Sequence, residues 1–171
     1  MAEPGRLLEY IFSFYFISHI PITLAVDLQA LLPRSIFPGA LQGLLDWYSA
    51  RFKDPMLLDP PPWFSVFILC EAVLQMPFFP FAAYAFYKGS CSWIRMPAIV
   101  YSTHVATTVV SILGHILFND FSKSTYPGPN TLSERLTLTA IYIPYLIIPL
   151  LILLTMLFSK RYNSDGKKKR K

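Results

Sequence analysis

Five ionisable side chains, His19, Asp27, Glu71, His104 and His115, sit deep in stretches of this chain that are otherwise apolar. Burying such a group in hydrocarbon is costly, so each marks a candidate site. No lysine or arginine falls in residues 7–32, 63–87, 96–118 or 136–158, where the apolar stretches run. Asp27 and Glu71 must therefore either carry protons or meet a cation supplied from outside. Paired carboxylates in that setting suit two kinds of chemistry: holding an ammonium group, or moving a proton. For His104, Thr108 and Ser111 the plainer reading, hydrogen bonding between helices, carries more weight.

The elements that must position these groups follow from composition. The chain has 171 residues, 54% of them hydrophobic, and a mean hydropathy of +0.44. Each of the four stretches reaches the roughly 20 residues a helix needs to cross about 30 Å of hydrocarbon. The third and fourth contain no Asp, Glu, Lys or Arg. A chain this short could not wrap four such helices in a soluble core. The expected fold is an all-α membrane protein, a four-transmembrane-helix bundle. The first stretch lacks a strongly basic flank, contains Asp27 and is too long for an ordinary signal-peptide core, so it counts as a span. With four spans the termini share a side, which holds Arg6, Lys88, Arg95, Lys160, Arg161, Lys167, Lys168, Lys169, Arg170 and Lys171. Facing them, Arg34, Arg51, Lys53, Lys123 and Arg135 are balanced by Asp46, Asp54, Asp59, Asp120 and Glu134. The excess of positive charge places both termini in the cytosol. Residues 1–6 form a cytosolic N-terminus, 7–158 the membrane domain and 159–171 a basic cytosolic tail.

At 1.5 Å per residue, Asp27 lies about 8 Å below the luminal end of its span, Glu71 about 12 Å, and Tyr142 and Tyr145 about 9 to 14 Å. Three helices thus bring polar atoms to one level. On the third span, Tyr101, His104, Thr108, Ser111 and His115 recur at spacings of three and four, a stripe expected to face the bundle. Between the first two spans, Leu41, Leu44, Leu45, Tyr48 and Phe52 predict a short luminal amphipathic helix ended by Asp54 and Pro55. It would roof a pocket and lower Asp54 toward Asp27, or lie flat among the headgroups. Pro21, Pro77, Pro80, Pro97, Pro144 and Pro149 tend to kink the helices and, with Phe78, Phe79 and Phe81, favour an apolar cavity with a few polar anchors.

Several classes are disfavoured. The net charge of +5 reports topology, since the basic residues form no stripe with stacking aromatics; nucleic acid is not an expected partner. Cys70 and Cys91 show neither disulfide nor metal-ligand spacing, and no metal or other cofactor is expected. No phosphate loop, nucleophile elbow or His-Glu metal motif is present. Lys168 and Lys169, fourth and third from the end, fit a dilysine signal for the endoplasmic reticulum, or equally a tail attracted to anionic lipid heads.

Residues 16–27 (FISHIPITLAVD), 52–55 (FKDP), 70–80 (CEAVLQMPFFP), 87–97 (YKGSCSWIRMP) and 131–149 closely resemble a receptor branch of the EXPERA family, which includes the emopamil-binding sterol isomerase. The resemblance implies a four-helix protein of the endoplasmic reticulum, with nuclear-envelope and endolysosomal membranes as further locations. It implies binding of sterols, such as cholesterol or oxysterols, and of cationic amphiphilic drugs, and a role in cholesterol homeostasis through the Niemann-Pick type C cholesterol transporter. By motif, Asp27 would pair with a ligand amine and Asp54 would support it. The lining that carries over is His19, Trp47, Tyr48, Met56, Glu71, Gln75, Tyr101, Thr108, Tyr142 and Tyr145. The isomerase branch resembles a His-x-x-x-Glu pair where this chain has Glu71-x-x-x-Gln75, and glutamine cannot exchange a proton at useful pH. The expected function is therefore a non-enzymatic receptor, expected to be a homodimer. A sterol isomerase-like enzyme using Asp27 and Glu71 is the first alternative, and a proton or ion pathway the second. Clustering of the polar groups in one half of the bilayer argues against a pathway, although His104 lies nearer the other side.

Overall fold

The computed structural model describes residues 4–163, and over them long apolar helices alternate with breaks set by proline and glycine. Helix α1 (Pro4–Ala25) runs through Pro21 and gives way to a 3-10 turn at Asp27–Ala30. A second 3-10 turn, Arg34–Ile36, leads into α2 (Gly39–Phe52). Helix α2 is closed by Lys53 in the left-handed conformation (φ 54°), whose amide bonds back to the Ser49 carbonyl. A helix thus covers the leucine-spaced segment. Leu45 is fully buried and Tyr48 and Phe52 pack on the core, while Leu44 is exposed.

Pro62 opens α3 (Pro62–Cys70), a position where its missing N–H costs nothing. A π-helical turn follows at Glu71–Gln75, then a 3-10 turn at Met76–Phe78 and α4 (Phe79–Lys88). These irregular turns fall where Pro77 and Pro80 leave carbonyls without their usual donors, and local rewinding accommodates the loss. Gly89 (φ 77°) and Ser90 (φ 55°) turn the chain into α5 (Arg95–Phe118). A capping box, Thr131 with Glu134, starts α6 (Leu132–Tyr142). Pro144 begins α7 (Pro144–Phe158), bent by 41° from α6, and α8 (Lys160–Asn163) ends the described chain.

Among the described residues, Gly5–Ala30, Pro62–Lys88 and Ser92–Phe118 are each long and apolar enough to cross a membrane, and the bent α6–α7 pair makes a fourth if counted as one span. The chain is an all-α, membrane-spanning helical bundle. The main helix contacts pair α1 with α4 and α5 with α7. Ala82, Ala83 and Ala85 let α4 approach α1 closely, so that Ser13 donates to the Ala83 carbonyl at 2.9 Å. Phe12, Phe16, Phe79 and Phe86 fill the seam, with Phe16 and Phe86 stacked at 5.9 Å. Arginines close two helix ends: Arg95 donates to the Met156 carbonyl at 3.0 Å, and Arg135 to Ile116 and Asn119 at 2.7 and 2.8 Å.

The inward face of α5 differs from the expected stripe. Tyr101, Val105, Thr108, Ile112 and Ile116 are buried, whereas Ser111 is exposed, with its hydroxyl on the Thr107 carbonyl at 3.0 Å. The buried face shares Tyr101 and Thr108 with that stripe but takes Val105, Ile112 and Ile116, each one residue later, in place of His104, Ser111 and His115; this turns Ser111 outward and leaves His104 and His115 half-buried. Cys70 and Cys91 are free thiols.

Candidate functional site

A cavity of about 310 Å³ lies between α1, α3, α5 and the α6–α7 bend, within the range of small-molecule sites. Its walls are mostly apolar: Ile22 and Val26 from α1 and its end, Phe64, Phe67 and Ile68 from α3, Val105, Val109 and Ile112 from α5, Ile141 from α6, and Leu57 from the loop after α2. Polar atoms enter from His19, Asp27, Tyr48, Glu71, Gln75, Thr108, Tyr142 and Tyr145. Among the described residues, no lysine or arginine lines it.

Helix irregularities aim the acids. Asp27 begins the 3-10 turn that ends the first span, and Glu71 begins the π-helical turn in the second. Thr23, one turn before Asp27, donates its hydroxyl to Glu71 Oε1 at 2.5 Å. His19, one turn earlier again, stacks on Phe79 at 4.9 Å and meets the rings of Tyr145 and Tyr15 at 4.9 and 5.2 Å. Its Nε2 stands 3.6 Å from Glu71 Oε1. One ligating atom from each of His19, Asp27 and Glu71 lies within 4.8 Å of the others. Asp27 accepts no hydrogen bond from any described residue. A carboxylate left without donors in an apolar wall is poised for a positively charged group.

Asp54 lies behind the wall and is fully buried. It accepts from Tyr142 Oη at 2.8 Å, from the Met56 amide at 3.1 Å and, at the limit of a hydrogen bond, from Tyr48 Oη at 3.5 Å. Burial pushes its carboxyl up to about 6, with the three donors pulling the other way. Asp54 thereby holds Tyr142 and Tyr48, which face the cavity. An ion pair between Lys53 and Glu134 fastens the same loop to α6.

Of the residues singled out from sequence, His19, Asp27, Tyr48, Glu71, Gln75, Thr108, Tyr142 and Tyr145 come together on the cavity wall. Asp54, Trp47, Met56 and Tyr101 do not line it. Trp47 is 59% exposed, because neighbouring helical positions point about 100° apart and Tyr48 takes the inward one. Met56 is buried in the core, reaching Asp54 by its backbone amide. Tyr101 lies about 10 Å along α5 from Thr108, its hydroxyl 2.9 Å from that of Tyr15 and its ring against Phe16 and Phe78. Lys168 and Lys169 lie outside the described residues. Sequence reasoning missed Thr23, although its place midway between His19 and Asp27 at helical spacing pointed to it.

Residues 40–156 match the family EBP: EXPERA (EXPanded EBP superfamily). Along its whole length the chain is 63% identical to Sigma intracellular receptor 2 of Xenopus tropicalis, all of which it covers. It is 54% identical to Sigma intracellular receptor 2 of Homo sapiens, again with complete coverage of both chains. A more distant relative is Efficient mitochondria targeting-associated protein 19 of Saccharomyces cerevisiae, 25% identical over 85% of this chain and 95% of that protein. The match to the family model covers more than half of the chain, and relatives far above 30% identity cover all of it: the chain belongs to the EXPERA family.

Proposed function

We propose that this protein is a receptor of the endoplasmic-reticulum membrane, not an enzyme, whose cavity takes cationic amphiphiles and sterols and couples them to cholesterol homeostasis and trafficking. The observation that carries the reading is Asp27, a carboxylate with no hydrogen-bond donor among the described residues, set in an apolar cavity that no described lysine or arginine lines. A ligand ammonium meeting Asp27 gains an attraction far stronger than in water, offset by desolvation of both groups. Tyr48, Tyr142 and Tyr145 add cation–π attraction of about 0.5 to 2 kcal/mol each where a ring face meets the cation. Gln75 is 7% exposed and its amide has no hydrogen-bond partner among the described residues, which suits it to a sterol hydroxyl. Gln75 also argues against sterol isomerisation, because an amide cannot relay a proton.

In this reading the α6–α7 pair is a single bent span, giving four spans, a luminal α2 and cytosolic termini. Residues 1–6, 7–158 and 159–171 are the cytosolic N-terminus, the EXPERA-type membrane domain and the basic tail. Lys168 and Lys169 form the retrieval signal, and replacing both with serine should release the protein from the reticulum, read by its location in cells. The Niemann-Pick type C cholesterol transporter and a second copy of the chain are the proposed protein partners.

The decisive experiment replaces Asp27 with asparagine and titrates one amine and one neutral sterol. Truncating one side of a buried charge pair typically costs about 2 to 5 kcal/mol, roughly 30-fold or more in affinity. The amine should lose that much and the sterol far less. Equal losses for both ligands would make Asp27 structural and end the ion-pair mechanism.

A further inference from the structure

Among the described residues, one group of three His, Cys, Asp or Glu side chains brings its ligating atoms within 4.8 Å of one another: His19, Asp27 and Glu71. Three independent features turn that proximity into a site. First, the imidazole is available. His19 is 7% exposed, its Nδ1 has no hydrogen-bond partner, and its Nε2 is 3.6 Å from Glu71 Oε1 without bonding to it. Second, Glu71 is already oriented, because Thr23 donates to its Oε1, the kind of outer contact that fixes a metal-ligating carboxylate. Third, the charge does not close. Two carboxylates face a cavity without lysine or arginine, so an ammonium group neutralises one of them and leaves the other; a dication neutralises both.

The geometry points to a binding site for a first-row divalent cation of the zinc type, held by His19, Asp27 and Glu71 with its fourth position open to the cavity. Zinc–nitrogen and zinc–oxygen bonds of about 2.0 to 2.2 Å put tetrahedral ligands about 3.4 Å apart. The His19–Glu71 separation already meets this, and the widest separation closes with a side-chain shift of about 1 Å. One imidazole with two carboxylates suits zinc or manganese. Magnesium and calcium call for more oxygen ligands and more retained water than these walls supply. Metal ligands of these types bind in their deprotonated forms, so binding strengthens as pH rises. Because Asp27 is shared, metal and amine exclude each other, and zinc would act as a competitive regulator of amine occupancy. The competition, though not the metal site, rests on the amine reading above.

The test uses the full-length protein purified in detergent, dialysed to equilibrium against ZnCl₂ with no amine present, followed by zinc displacement of a radiolabelled cationic amphiphile. The expected result is one zinc per chain, with affinity falling at least tenfold in His19→Gln and in Glu71→Gln and unchanged in His115→Gln, an imidazole remote from the cluster. MgCl₂ should not substitute. Folding of each variant is checked by its thermal melt. On the unaltered chain, Co²⁺ should give the intense visible bands of a tetrahedral nitrogen–oxygen site, a readout that needs no variant. No zinc retained by the wild type, zinc affinity in His19→Gln and Glu71→Gln equal to that of the wild type, or a six-coordinate cobalt spectrum would each overturn the proposal. Zinc retained by a protein that fails to bind the amine would support the metal site and sink only the amine reading.

Discussion

Two carboxylates on the first span, Glu9 and Asp27, stand 18 residues apart, about 27 Å along the axis, in opposite circumstances. Glu9 is 2% exposed and saturated. Its Oε1 accepts from Tyr162 Oη at 2.6 Å and the Ser90 amide at 3.1 Å, and its Oε2 from Arg6 at 2.6 Å and Arg161 at 3.3 Å. Arg6 also donates to the Tyr87 carbonyl at 3.0 Å and lies across Gly89, where any side chain would collide with the guanidinium. Glu9 therefore clasps α1 to the α4–α5 turn and to α8. Asp27 has none of these partners. A buried charge whose donors are all supplied by the fold is a structural part; one whose donors are missing leaves them to be brought by a ligand, the role proposed above for Asp27.

The sharpest way to break that contrast is to neutralise each acid in turn and measure both amine affinity and thermal stability. Asp27→Asn should cost about 30-fold or more in amine affinity and leave the melting temperature unchanged or raised, since no native hydrogen bond is lost. Glu9→Gln should do the reverse. It removes the counter-charge of two guanidiniums, both partly exposed and able to rehydrate, so the loss of stability is discounted to about 1 to 3 kcal/mol, with amine affinity unchanged. A protein in which Glu9→Gln abolished amine binding and Asp27→Asn did not would invert the assignment.

The same pair shows what a sequence can and cannot disclose. The spans were legible because length and hydropathy are local, and so were the depths of Asp27 and Glu71, which follow from counting residues inward from the ends of the apolar stretches. Glu9 is not legible in this way. It lies at the rim of its stretch, and its partners Ser90, Arg161 and Tyr162 are 81 to 153 residues away, beyond any spacing rule. No spacing rule marks the His19–Asp27–Glu71 group either, since its third member comes 44 residues after the second, from a rewound turn in another helix. Trp47, Met56 and Tyr101 entered through the family resemblance. Helical phase alone would have set Trp47 against Tyr48, but the pairing of Tyr101 with Tyr15 depends on how α1 meets α5.

Asp54 is intermediate between the two acids, fully buried yet supplied with donors, and pH sharpens the comparison. Its folded-state value of about 6 exceeds the usual aspartate value of 3.8. The native protein holds this proton more tightly than the unfolded chain does. The stabilisation is present in full below about pH 4 and is lost as pH rises through about 6, a change of about 3 kcal/mol. Melting temperature should therefore fall between about pH 4.5 and 7 in the wild type. In Asp54→Asn that slope should flatten. The variant should also weaken amine and sterol together, because it loosens Tyr142 and Tyr48 on the wall without touching the ion pair at Asp27.

The smallest expected effect separates the two tyrosines that reach Asp54. Tyr142 Oη donates to Oδ2 at 2.8 Å and Tyr48 Oη to the same oxygen at 3.5 Å, so the first bond is well formed and the second is at the edge of one. A hydrogen bond to a charged acceptor contributes about 1.5 to 3 kcal/mol when well made. Tyr142→Phe should lower stability at pH 7 by an amount in that range, and Tyr48→Phe by less than about 1 kcal/mol. The pH profile gives an independent check. Donation from Tyr142 favours the ionised carboxylate, so removing it should move the midpoint of the stability change to higher pH, while Tyr48→Phe should shift the midpoint much less. If Tyr48→Phe proved the more damaging of the two at neutral pH, Asp54 would be held chiefly from α2 and not from α6. The acid would then belong to the roof of the cavity, and its rank between Glu9 and Asp27 would have to be redrawn.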